Sequence, residues 1–179
     1  MRDLAEKWSV VPDWQSAVIT APGLVVRVIA GLNQLLVSGD LDAWARTSGM
    51  DGKGVGAFGT AQGDRYAARL ARDRLLVVSS TPLAIATGWH TVGFAVTTIS
   101  AGLRVFEVEG AALDAFIVRG TTLDSAQASA SAALSFAGIS AVVYRHESKL
   151  RIHVDRGLAT YLWTWMETAV GNIAAGSHN

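Results

Sequence analysis

Two segments of the chain share one spacing of valine and glycine, and this repeat constrains the fold more than any other feature. The matched residues, at a constant offset of 71 positions, are Val37, Gly39 and Gly49 in the first segment and Val108, Gly110 and Gly120 in the second. In each, a β-branched run leads into a short helical pattern that a glycine closes. Aliphatic runs at 75–78 and 150–154 match at an offset of 75. The repeat predicts an α+β fold of two tandem related units, each a small antiparallel sheet with helices on one face.

The rest of the pattern divides the chain into four parts. Residues 1–22 are predicted to form an N-terminal arm, because scattered apolar residues lie among polar ones and two prolines break the pattern. Residues 23–100 are the first unit, 101–173 the second, and 174–179 a frayed tail. Predicted strands cover 24–30, 33–38, 65–70, 75–79, 92–98, 102–108, 132–137, 141–145 and 150–154. Predicted helices begin at the N-cap Asp40, at Gly110 and near Arg156.

The charge balance excludes an electrostatic footprint for nucleic acid or for an anionic membrane surface. Fifteen basic residues offset fifteen acidic ones. Charged residues make up 17% of the chain, below the roughly 25% typical of globular domains. So few charges favour a protein that hides part of its surface in a complex, and a well-packed monomer is the alternative.

The chain has no cysteine, which excludes disulfides, thiol nucleophiles, iron–sulfur clusters and thiolate metal sites. This composition fits a reducing compartment, and the charged residues 2–7 do not make a secretory signal. Residues 82–103 carry few charges, but His90 and three glycines argue against a membrane span there. We therefore expect a cytoplasmic protein.

Gly54, Gly56 and Gly59 match the dinucleotide-binding string Gly-x-Gly-x-x-Gly. That string binds pyrophosphate only between a strand and a helix N-terminus. Here Asp51-Gly52-Lys53 precedes it and a strand follows it. A glycine loop at a strand edge is the favoured interpretation, and a phosphate-binding loop with Lys53 is the alternative.

The remaining polar residues form no catalytic constellation in the sequence. The histidines (His90, His146, His153 and His178) have no metal-ligand spacing, and a structural role is favoured for each. No Gly-x-Ser-x-Gly motif occurs. Arg65, Arg69, Arg72 and Arg74 are interpreted as a solvated hairpin face, with a surface for an acidic partner as the alternative. We predict no catalytic, cofactor-binding or metal-binding residue on this chain.

The C-terminal helix carries more apolar residues than one face can bury. Its predicted buried face is Leu158, Tyr161, Leu162, Trp165, Met166 and Ala169. Trp163 lies about 200° around the helix from Trp165, so it is exposed, covered by another part of the chain, or covered by a partner. Large apolar groups that face outward often mark interaction surfaces. The predicted partner interface is Trp163, Ala159 and Val170, together with Trp8 and Trp14 of the arm.

Several runs in the second half resemble the gamma subunit of heterotetrameric sarcosine oxidase. They are Gly102-Leu103-Arg104-Val105-Phe106-Glu107-Val108-Glu109-Gly110, the segment 113–124 ending in Thr121-Thr122-Leu123-Asp124, Tyr144-Arg145-His146-Glu147, and Tyr161-Leu162-Trp163-Thr164-Trp165. Arg74-Leu75-Leu76-Val77-Val78 resembles a first-half strand of that family. The chain departs from the family where Thr121-Thr122 replaces a common Cys-Pro and where Ala95-Val96-Thr97-Thr98 replaces an Asp-Val-Ser-Asp run.

The resemblance implies a fold like the folate-binding domain of glycine-cleavage aminomethyltransferases. It implies assembly with a large subunit, a flavin-carrying subunit and a small zinc-binding subunit. It implies that FAD, FMN, NAD and tetrahydrofolate are held by those partners rather than by this chain. The expected function is a non-catalytic role in a complex that oxidatively demethylates sarcosine or a similar N-methyl amino acid.

Two other functions remain open from the sequence. One is a stand-alone folate-binding or one-carbon transfer protein, although no motif of the folate-dependent relatives is visible. The other is a homodimeric structural module that buries its apolar surface against a second copy.

Overall fold

The computed structural model describes residues 11–176, and Trp8 of the predicted interface lies outside them. The strands are β1 (Val18–Ala21), β2 (Leu24–Ile29), β3 (Asn33–Gly39), β4 (Thr60–Ala61), β5 (Arg65–Ala71), β6 (Arg74–Ser79), β7 (Gly88–His90), β8 (Phe94–Thr98), β9 (Leu103–Glu109), β10 (Ala133–Phe136), β11 (Ile139–His146) and β12 (Lys149–Asp155). The helices are α1 (Leu41–Ser48), α2 (Leu113–Gly120) and α3 (Ala159–Gly176), and a short 3-10 turn (Arg156–Leu158) precedes α3.

The strands form two sheets stacked face to face between outer helices. The seven-stranded sheet has the order β1-β2-β9-β12-β11-β10, with β4 paired in parallel to β11. The five-stranded sheet has the order β5-β6-β3-β8-β7. One apolar core lies between the seven-stranded sheet and α2 and α3, a second lies between the five-stranded sheet and α1, and a third lies between the sheets. The predicted α+β class is confirmed.

The register of the sheets matches the sequence repeat. Val37 of β3 pairs with Leu75 of β6, and Val108 of β9 pairs with Leu150 of β12. These are the residues that the offsets of 71 and 75 align. The order β5-β6-β3-β8-β7 in one sheet corresponds to β11-β12-β9-β2-β1 in the other. The two halves therefore repeat one arrangement of five strands.

The strand repeat divides the chain into β1–β6 and β7–β12, and each of these halves contributes its first hairpin to the sheet of the other half. The β1–β2 hairpin pairs with β9, and the β7–β8 hairpin pairs with β3. The division at residue 100 does not separate the two sheets, because the seven-stranded sheet contains β1, β2 and β4 from before that residue and β9 to β12 from after it. Every strand of the five-stranded sheet lies before residue 100. Sequence periodicity shows where strands lie, but it does not show which strands pair with each other in a sheet.

Two matched glycines hold the exchanged hairpins close. Gly39 has φ +114° and Gly110 has φ +134°. A Cβ at Gly39 would overlap the carbonyl of Gly93, and a Cβ at Gly110 would overlap the carbonyl of Gly23. Only glycine combines this backbone conformation with such close approach. The two matched glycines of the sequence repeat therefore lie at equivalent strand contacts, Gly39 against Gly93 and Gly110 against Gly23.

The predicted ends of α1 are confirmed. The Asp40 side chain accepts a hydrogen bond from the Ala43 N–H at 2.8 Å, which makes Asp40 the N-cap. Gly49 adopts the left-handed conformation, φ 69°, and its N–H donates to the Ala45 carbonyl.

The predicted buried face of α3 is right for Leu162, Met166 and Ala169 and wrong for Leu158 and Tyr161. Tyr161 is 51% exposed and Leu158 is 40% exposed. The buried residues are Ala159, Leu162, Trp163, Met166, Ala169, Val170 and Ile173. This face is also spaced by threes and fours, so periodicity alone cannot separate the two. The observed face is selected by Trp14 and Phe106, whose rings contact Trp163.

Within residues 11–176, no helix is both long enough and apolar enough to cross a membrane.

Candidate functional site

A chain of buried hydrogen bonds runs through the layer between the two sheets. His153 Nδ1 lies 2.6 Å from Gln34 Oε1, and His153 Nε2 lies 2.6 Å from the Tyr144 hydroxyl. The Tyr144 hydroxyl lies 2.9 Å from the Tyr66 hydroxyl, which accepts a hydrogen bond from the Arg151 guanidinium. Gln34 and His153 are 3% and 1% exposed. Four strands, β3, β5, β11 and β12, supply these five side chains.

The partners fix the direction of every proton in this chain. The Gln34 carbonyl oxygen only accepts, so His153 donates from Nδ1 and its neutral Nε2 accepts from the Tyr144 hydroxyl. The Tyr144 oxygen then accepts from Tyr66, and the Tyr66 oxygen accepts from Arg151. Burial lowers the pKa of His153 to about 3, with the Arg151 charge as a smaller cause. Both nitrogens of a neutral imidazole are thus engaged, and His153 is not positioned to act as a base.

The two tyrosines stay protonated for the same reason. Burial raises the pKa of Tyr66 and raises that of Tyr144 well above the ordinary value. The arrangement joins the five-stranded sheet to the seven-stranded sheet through polar groups that would be costly to bury unpaired. Its chemistry is that of a fully bonded structural network.

An ionic ladder continues the network across the strands of the seven-stranded sheet. Arg151 Nε donates to Glu107 Oε2 at 3.1 Å, and Lys149 Nζ donates to Glu107 Oε1 at 3.0 Å. Lys149 also lies 3.3 Å from Glu109, which pairs with Arg27. Glu107 is 7% exposed, so its two cations supply the charge compensation that a buried carboxylate needs.

An open cleft of about 390 Å³ lies beside Tyr66. Its floor includes Gly54, Val55, Ala61, Tyr66 and Ala67, and its rim includes Asp51 and Arg65. The Tyr66 hydroxyl is already bonded to Tyr144 and Arg151.

The glycine loop connects α1 to β4 and runs beside the edge strand β5, as the favoured interpretation predicted. Val55 makes a parallel bridge with Ala68, and the Ala57 N–H donates to the Ser131 carbonyl at 2.9 Å. A Cβ at Gly56 would overlap the Ser129 backbone. No helix follows the loop before β4 and β5. The glycines therefore serve close backbone packing, and the structure gives no support to a phosphate loop.

Arg69 is not part of a solvated hairpin face. Its guanidinium donates to the carbonyls of Lys53 at 2.6 Å, Gly52 at 2.8 Å and Arg72 at 2.9 Å. This role has no signal in the sequence, because the acceptors are backbone carbonyls, which every residue type has. Arg65, Arg72 and Arg74 are exposed.

Three of the predicted interface residues are buried within the chain itself. Trp163 is 5% exposed, Val170 is 2% exposed and Ala159 is 1% exposed. The Trp163 ring lies 5.9 Å from that of Trp14, and its Nε1 donates to Glu167 at 2.9 Å. Another part of the chain, the segment with Trp14, therefore covers Trp163. The premise of an outward-facing Trp163 is corrected, and the interface itself stays a prediction.

The other histidines lie apart from one another. His90 stacks on Phe94 at 4.4 Å, and His146 Nε2 lies 3.0 Å from the Gly63 carbonyl oxygen. His178 lies outside the described residues. Within residues 11–176, no group of three potential metal ligands occurs.

One solved structure shares this architecture nearly end to end. It is a chain of the heterotetrameric sarcosine oxidase from Corynebacterium sp. U-96, in complex with pyrrole 2-carboxylate. The TM-score is 0.66, with 96% of this chain and 93% of that chain covered and 16% of residues identical. The two chains have the same fold. No model of a known protein family matches the sequence, and no curated protein does.

Proposed function

We propose that this chain is the small, non-catalytic gamma subunit of a heterotetrameric flavoprotein oxidase. The proposed substrate is sarcosine or a similar N-methyl amino acid. The observation that carries the proposal is the structural likeness to a chain of such an oxidase, which covers 96% of one chain and 93% of the other. Because both chains are covered almost completely, they are similar in length, and this supports a small subunit.

The buried polar side chains are hydrogen-bonded to one another, and this supports a structural role. The described chain places its best candidate for acid–base chemistry, His153, in a closed layer with both ring nitrogens bonded. Glu107 and Arg151 are bonded to each other in the same layer. In the proposed complex the partners are a large subunit, a flavin-carrying subunit and a zinc-binding subunit. FAD, FMN, NAD and tetrahydrofolate belong to those partners, and the complex is cytoplasmic.

The surface of the described chain also supports assembly. Trp89 on the edge strand β7 is 69% exposed, and Val92 in the adjoining turn is 55% exposed. Large apolar side chains left together in solvent are typical of surfaces that a partner covers. This pair offers a contact to a neighbouring subunit that does not disturb any of the three cores.

The test is a mild purification of the tagged full chain from its native host. The expected product is a yellow complex with flavin absorbance, sarcosine-dependent oxidase activity and three additional subunits in its mass spectrum. Trp89→Ser should reduce the yield of that complex while the isolated chain keeps its melting temperature. Trp89 is exposed, so the change removes no core contact.

A colourless chain, alone or paired with itself, would contradict the proposal. Saturable binding of tetrahydrofolate to such a chain would then favour the one-carbon alternative, and a stable dimer without folate binding would favour the structural module.

A further inference from the structure

Arg104 and Arg156 are neighbours at one end of the β9–β12 pair. Arg104 pairs with Val154 across the two strands. The Arg156 N–H donates to the Gly102 carbonyl at 2.9 Å, so Arg156 lies opposite Gly102. Arg104 and Arg156 are therefore diagonal neighbours across the two strands. Diagonal neighbours of this kind are about 7–8 Å apart, within reach of two long side chains.

The Arg104 guanidinium lies against an aromatic ring and has an unused donor. Its central carbon is 4.9 Å from the centre of the Trp14 ring. Its Nε is buried without a hydrogen-bond partner. Most buried donors in proteins are paired, and an orphaned one marks a place where a partner is missing. Stacking on Trp14 holds the plane of the guanidinium in place.

Within residues 11–176, no ion pair joins a carboxylate to either of these two guanidinium groups. The ion pairs within residues 11–176 use Arg27, Arg145, Lys149 and Arg151 as cations. Arg156 NH1 donates only to the Ala101 carbonyl, at 3.3 Å.

The nearest acidic residues along the chain have other partners. Asp155 accepts from the Gly157 N–H at 2.8 Å, and Asp13 accepts from the Ser16 hydroxyl at 2.7 Å. Glu167 accepts from the Trp163 indole.

The electrostatics of Arg104 agree with a missing counter-charge. Burial lowers the pKa of Arg104, and the charge of Arg156 lowers it further. Both effects disfavour the protonated guanidinium, so an anion placed between the two side chains would relieve both.

We propose that Arg104 and Arg156 form a binding site for a small oxyanion, a phosphate or a carboxylate, with Trp14 as its rigid wall. A planar guanidinium matches two oxygens of such a group at once. This site is separate from the network around His153 and does not depend on the proposed oxidase function.

The test is calorimetric titration of the full chain with inorganic phosphate and, separately, with acetate at constant ionic strength. Saturable binding of at least one anion is expected, and the melting temperature should rise with its concentration. Arg156→Gln should weaken binding about tenfold, since it removes one charge-assisted hydrogen bond. Arg74→Gln is the matched control, because Arg74 is exposed on the other sheet.

Binding of phosphate alone assigns a phosphate site, and binding of acetate alone assigns a carboxylate site. Two results would overturn the proposal. One is the lack of saturable binding of both anions by the wild-type chain. The other is an unchanged dissociation constant in Arg156→Gln. Arg156 is the residue to change, because a substitution of Arg104 would also remove its contact with Trp14.

Discussion

His153 is a titratable group in the closed layer between two sheets, and its burial links folding to pH. The folded protein holds it neutral, with a pKa near 3, while an unfolded chain protonates it near 6.5. Between these values the unfolded state binds the extra proton. Stability is therefore complete above the unfolded pKa and decreases as pH falls below it.

We predict that the wild-type chain loses about 1.4 kcal/mol of unfolding free energy per pH unit below pH 6.5 from this group. Urea denaturation at pH 7, 6 and 5 measures the slope. His153→Leu should start from a lower stability and show a shallower slope. An equal slope in His153→Leu would show that another group is responsible.

The glycines at the two junctions give a second prediction at the residue scale. Gly110→Ala should destabilise the fold by at least 2 kcal/mol, because a Cβ there overlaps the Gly23 carbonyl and φ is +134°. Gly171→Ala is the matched control in α3, where nothing lies within 4 Å. It should stabilise by about 0.5–1 kcal/mol. Thermal unfolding of both variants checks the signs, and two changes of the same sign would contradict the assignment.

The N-terminal turn and α3 act as one packing unit at the scale of elements. Trp14 contacts both Phe106 and Trp163, with ring centres 6.0 and 5.9 Å apart. Trp14→Ala should cost about 3 kcal/mol, a value typical of a large aromatic removed from a packed site. It should also expose Trp163, so tryptophan emission should shift to longer wavelength. Trp89→Ala is the control and should change stability little, because Trp89 is exposed. Equal losses in the two variants would contradict this packing.

The elements themselves were largely predictable from sequence, and the reasons differ from one to another. Gly49 closes α1 through a left-handed backbone, which is a local requirement. Gly120, its match in the repeat, is the last residue of α2, and glycine is needed there because a Cβ would overlap the Phe136 ring. A glycine therefore predicted the C-terminal ends of both α1 and α2, although only the glycine of α1 is required by local backbone geometry.

The candidate site was not predictable, because its members meet only in three dimensions. Gln34 and His153 are 119 positions apart, and Tyr66 and Tyr144 are 78 apart. Each one alone is a single polar residue in a strand, which has no distinctive signal. The burial of Trp163 on α3 could not be predicted for the same reason, since Trp14 and Phe106 cover it from remote positions.

At the scale of the whole molecule, the exchanged hairpins tie the halves into one folding unit. We predict that fragments 1–84 and 85–179, cut between β6 and β7, are each unfolded alone. The first lacks β9 for its β1–β2 hairpin and β8 beside β3, and the second lacks β2 beside β9. Mixing them should restore the native far-ultraviolet circular dichroism and amide dispersion. A dispersed amide spectrum from either fragment alone would contradict this prediction.

The exchange also sets the order of events during synthesis. β2 ends at Ile29, but its sheet partner β9 begins at Leu103 and the next strand, β12, at Lys149. A ribosome that adds about 5–20 residues per second leaves the first hairpin without its neighbour for several seconds. During that time the β2 edge is open to other chains. A chaperone or a subunit already present at the ribosome would find its best target in that first hairpin.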